Sequence, residues 1–77
     1  MIIRIVGYER GILKIHHTKY LKDVVGLRLF DAKTLTDDIL AGKVREIEVP
    51  DEHAAIHAGA LRVIGAVVEL GEARKAA

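Results

Sequence analysis

His53 and His57 stand four residues apart in a segment that also contains Asp51 and Glu52. On a helix this spacing puts two imidazoles on one side, within reach of a single ion. A closed tetrahedral site needs two more ligands, and Asp51, Glu52 and one of His16 or His17 are the candidates. If residues 12–17 are a strand, His16 and His17 point to opposite faces and only one of them can join. The cofactor of such a set is a divalent metal. The competing reading needs no cofactor: both imidazoles line the edge of a small core, neutral and hydrogen-bonded to backbone. The pair lacks the glutamate that follows the first histidine in zinc proteases, since Ala54 stands there.

Other chemistry has less support. The chain has no Ser and no Cys, and Thr18, Thr34 and Thr36 fall where caps or turns are expected. The acidic pairs Asp37-Asp38 and Asp51-Glu52 fall at expected helix starts, where the helix dipole accounts for them. His57 with Glu52 is the remaining acid–base combination, and no residue nearby points to a substrate. These residues argue against an enzyme. Gly7 and Gly11 are not followed by the Lys-Thr of a phosphate loop. Arg10, Lys14, Lys19, Lys22 and Arg28, with Tyr8 and Tyr20, would make a modest basic stripe. A formal charge of +1 projects no strong field, so nucleic acid is not an expected partner.

The elements that must position these residues are legible from period and punctuation. Residues 2–6 are rich in β-branched side chains and read as a strand buried on both faces. Residues 12–25 admit two readings. One is a hairpin strand followed by a short helix capped by Thr18. The other is a single helix with Leu13, His17, Tyr20, Leu21 and Val24 on one stripe. Gly26 stops the helix in both. Residues 31–40 read as a helix capped by Asp31 or Thr36 and ended by Gly42. Residues 44–49 alternate as a strand stopped by Pro50. Asp51 then caps a helix running to about Ile64, Gly65 releases it, and residues 66–70 form a last strand. The pattern predicts a single compact α+β domain over 1–77, with 71–77 as a frayed tail. It is a small one-sheet sandwich of three or four strands, with two or three helices on one face. A ferredoxin-like order competes for the topology.

Projected at 100° per residue, His53, Ile56, His57, Ala60, Leu61 and Ile64 share one side of the last helix. Ala55, Ala58, Gly59 and Arg62 lie opposite. Three of those four are small, so this side is the expected protein interface.

Gly26-Leu27-Arg28-Leu29-Phe30-Asp31-Ala32-Lys33-Thr34-Leu35 resembles the GLxLxxAKxL segment of the C-terminal domain of the ribosomal stalk protein L7/L12. Gly65-Ala66-Val67-Val68-Glu69-Leu70 resembles the closing helix-to-strand turn of that domain. The resemblance covers about a quarter of the chain. It implies an α+β fold shared with the ClpS adaptor family and residues 12–25 as helix. It carries over no ribosomal function and no binding residue.

At 77 residues the core is small, whereas 51% of the residues are apolar, more than a solitary small domain needs. That excess predicts a non-catalytic subunit or oligomerising module that binds itself or a larger protein. The alternative is a His/carboxylate protein that binds a metal or small ligand. Without cysteine there are no disulfides. Missing Asn, Gln and Cys alongside abundant Lys, Arg and Glu predicts a thermophilic source. No basic region followed by a long apolar run opens the chain, and His57, Arg62 and Glu69 interrupt its longest apolar stretch. A cytoplasmic protein without a membrane span is expected.

Overall fold

The computed structural model describes residues 1–71. The elements are β1 (Ile2–Tyr8), α1 (Lys14–Tyr20, continued by a π-helical turn, Leu21–Val25), α2 (Leu29–Leu40), β2 (Arg45–Glu48), α3 (Asp51–Ile64) and β3 (Ala66–Gly71). The strands form one antiparallel sheet in the order β2-β1-β3, so the architecture is α+β with three strands and three helices. Gly71 closes β3. The rest of the predicted tail lies outside the described residues.

β1 is central but is not buried on both faces. Ile3 and Ile5 are fully buried, joined by Ile47 and Val68 from the neighbouring strands, while Arg4 is exposed. Arg4 lies opposite Glu46 on one side and Glu69 on the other. Its guanidinium pairs with Glu46 at 3.7 Å. All the helices cover one face, so the period-2 alternation must divide apolar from charged residues. A bulge then places Ile5 opposite Val68 and Gly7 opposite Val67, leaving Val6 as the extra residue.

Residues 12–25 take the single-helix reading, with one departure. His17 and Leu21 are buried and Tyr20 is half-buried, but Leu13 and Val24 are exposed. The wider π turn carries positions after Tyr20 off the 100° spacing, and Val25 packs on the core where Val24 was expected.

α2 begins at Leu29 behind an extended Arg28 with no side-chain cap, so neither Asp31 nor Thr36 caps it. Asp37-Asp38 falls in its last turn rather than at a helix start, against the dipole. Asp38 is compensated by Arg45 and by Lys43 at 3.8 Å, which ties the α2–β2 turn together. At α3, Pro50 holds the N-cap position and Asp51 is the first helical residue, accepting from the Met1 amine at 2.7 Å. Gly65 ends α3 with φ +118°. Its carbonyl accepts from the Glu9 amide at 2.8 Å, and the Leu13 amide donates to the Ile64 carbonyl at 3.0 Å. The loop between β1 and α1 is thereby sewn onto the α3–β3 turn.

Candidate functional site

The buried stripe of α3 is Ala54, His57, Ala58 and Leu61. It is rotated by about one residue from the projected stripe. Exchanging Ile56 for Ala58 at the sheet removes bulk where the helix must lie close to β1 and β3. Ala58 is therefore fully buried and is not on a free face. Of the other residues expected at an interface, Ala55 and Arg62 are exposed and Gly59 is half-buried. Arg62 folds back to donate to the Val68 carbonyl at 3.3 Å, covering part of the β3 edge. Ile56 and Val63 point outward instead, at 68% and 85% exposure.

Two polar clusters fasten α1 to its neighbours. On the α2 side, His17 Nδ1 lies 2.8 Å from Thr36 Oγ1, and the Thr18 hydroxyl donates to the same oxygen at 3.0 Å. The Thr36 hydroxyl donates its single proton to the Ala32 carbonyl, 3.0 Å away and a turn back. Counting protons makes His17 the Nδ1–H tautomer, donating to Thr36. His17 Nε2 is buried with no hydrogen-bond partner among the described residues. Burial lowers the His17 pKa below its ordinary value of 6.5. His17 is thus a neutral core histidine. Thr36, read from the sequence as a cap or turn residue, is the acceptor that makes this burial tolerable.

Thr36→Val keeps the shape of that side chain and removes its oxygen. It should destabilise the domain by about 1–3 kcal/mol, because His17 Nδ1–H is left buried without an acceptor. Urea denaturation of the two proteins measures the difference, and equal midpoints would show that the bond contributes nothing.

On the α3 side, the Tyr20 hydroxyl lies 2.7 Å from His57 Nδ1, with the two rings edge to face at 5.8 Å. His53 stacks edge to face on His57 at 6.0 Å. Burial lowers the His57 pKa, and the neighbouring charge of His53 lowers it further. Burial raises that of Tyr20. The sequence brings His53 and His57 together as the i, i+4 spacing implies. It does not bring the rest of the expected ligand set. His17 is turned to Thr36, His16 and Glu52 are exposed, and Asp51 is held by the Met1 amine. Among the described residues no three His, Asp or Glu side chains converge to hold a metal ion. Tyr20, read from the sequence as an aromatic member of a basic stripe, instead meets His57, and its i+3 spacing from His17 does not reveal that the two side chains serve different helices.

A groove of about 640 Å³ runs between α1 and α2, lined by Lys14, Lys19, Lys22 and Lys33, by Asp23 and Asp37, and by apolar side chains that include the exposed Ile15 and Leu29. Tyr20 does not line it, being committed to His57 on the opposite side of α1. No described helix is long and apolar enough to cross a membrane. No family model, no curated protein and no solved structure matches this chain.

Proposed function

We propose that the chain is a small, non-catalytic, self-associating module whose outward α3 face packs against a second copy. The observation that carries this reading is the outward run of Ile56, Gly59, Ala60 and Val63, in which Ile56 and Val63 are exposed and Gly59 and Ala60 half-buried. Ile56 and Val63 are the two large side chains on it, and they stand symmetrically about Gly59-Ala60. In an antiparallel crossing centred on those small residues, each Ile56 meets the partner's Val63. The two backbones approach closely where no bulk intervenes. Side chains this apolar and this exposed, at helical spacing, mark an interaction surface more than a solvated face. Of the interface first expected, Ala55, Ala58, Gly59 and Arg62, only Gly59 lies within this run, and Ala58 is buried. The setting in this reading is the cytoplasm of a thermophile, which the residue composition supports.

Sedimentation equilibrium across a wide concentration range tests it. The wild type should run as a dimer, and Ile56→Asp and Val63→Asp should run as monomers with unchanged helical circular dichroism. A wild type that stays monomeric at high concentration, or variants that dimerise as well as the wild type, would overturn the reading.

A further inference from the structure

Tyr20, His53 and His57 form a set that a self-associating face does not use. We propose that His53 and His57 bind a late first-row divalent cation of the zinc, nickel and copper class, with Tyr20 as a positioning residue behind His57 and water completing the coordination.

The argument starts from distance. With metal–nitrogen bonds of about 2.0–2.1 Å, two imidazoles on one tetrahedral ion have ring centres about 5 Å apart. The observed separation is 6.0 Å, with the ring planes at 84°. His53 is exposed, so its ring is free to swing through the remaining distance of about 1 Å. The donor atoms agree. His57 Nδ1 is engaged by the Tyr20 hydroxyl, which leaves Nε2 as its ligand atom. A hydroxyl can accept as well as donate, so it supports the Nδ1–H tautomer that frees the Nε2 lone pair. A hydrogen bond on the far nitrogen of a ligating histidine fixes ring orientation and tautomer, the role Tyr20 takes here. A purely imidazole donor pair prefers zinc, nickel or copper over magnesium or calcium, which take oxygen ligands. No third His, Asp or Glu converges on the pair among the described residues, so solvent supplies the other positions.

The two ligands lie one turn apart, so a cation that bridges them clamps the first half of α3 and stabilises the folded state alone. Thermal melting with Zn²⁺, with Mg²⁺ as the comparison, reads this directly. At a Zn²⁺ concentration about a hundredfold above its dissociation constant, the melting temperature should rise on the order of 10 °C. Mg²⁺ should not move it. His53→Ala changes an exposed helical position, so the variant should melt like the metal-free wild type and lose the Zn²⁺ shift. Tyr20→Phe should still bind, with affinity reduced about tenfold or more. Isothermal titration should give one ion per chain in the wild type. No Zn²⁺ shift in the wild type, an undiminished shift in His53→Ala, or an equal shift with Mg²⁺ would overturn the proposal.

Discussion

Replacing Gly65 with alanine should lower the stability of the domain by about 2–4 kcal/mol, because two penalties coincide at one atom. Gly65 sits at φ +118°, where L side chains are strained. A Cβ built there would also lie 2.8 Å from Ile12 Cα, and backbone cannot yield as a side-chain tip does. Any shift of Ile12 would disturb the amide bonds from Glu9 and Leu13 that dock the α1 entry loop onto this turn. A folded chain of this length has roughly 4–11 kcal/mol of stability in all, so the change should unfold a large share of the protein when warmed. Gly42→Ala separates the two causes. Gly42 has φ +88° with nothing within 4 Å of a new Cβ, so only the conformational penalty of about 1 kcal/mol should appear. Urea denaturation of both variants checks the prediction; a Gly65→Ala loss no larger than that of Gly42→Ala would mean that the contact with Ile12 relaxes freely.

The second large effect is with acid. His17 is buried, neutral and donating to Thr36, and its pKa is pushed below 6.5 by the loss of water around it. Above pH 6.5 the histidine is neutral in the folded and unfolded chain alike, and it makes no pH-dependent difference. As pH falls below 6.5 the unfolded chain takes up a proton that the folded chain refuses, so stability declines. The decline continues until the folded-state pKa is reached and then stops. Its slope from this residue is at most about 1.4 kcal/mol per pH unit. His57, whose pKa is also lowered, contributes with the same sign. His17→Gln retains a donor for Thr36 and cannot titrate in this range. The measurement is the stability difference between pH 7.5 and pH 5.5 in the wild type and in that variant. The variant should lose distinctly less; an equal loss would show that other groups carry the acid sensitivity.

Local chemistry made much of the fold legible. Gly26, Gly42 and Gly65 each end a helix at positive φ, as their positions past apolar-periodic segments implied. α3 spans Asp51–Ile64, close to the range expected between Pro50 and Gly65. The strands at 2–8 and 66–71 follow from apolar, β-branched-rich runs and that at 45–48 from alternation, each close to the range expected. The His53–His57 contact followed from spacing alone.

What local chemistry could not supply was orientation. Ala54 and Ala58, not Ile56, face the sheet, because the turn at Gly65 and the register of β3 set how close α3 must lie. Apolar periodicity ranks faces by bulk, so it turned the helix by about one residue and placed Ala58 outside. The same limit applies to β1, whose β-branched run looked buried on both faces until a single helical layer left Arg4 between Glu46 and Glu69. Thr36 and Tyr20 acquire their partners only when α2 and α3 come up on two sides of α1. Turn and helix signals are carried by a few neighbouring residues and so survive in the sequence. The face an element buries depends on the shape of what it packs against, and that exists only in the folded chain.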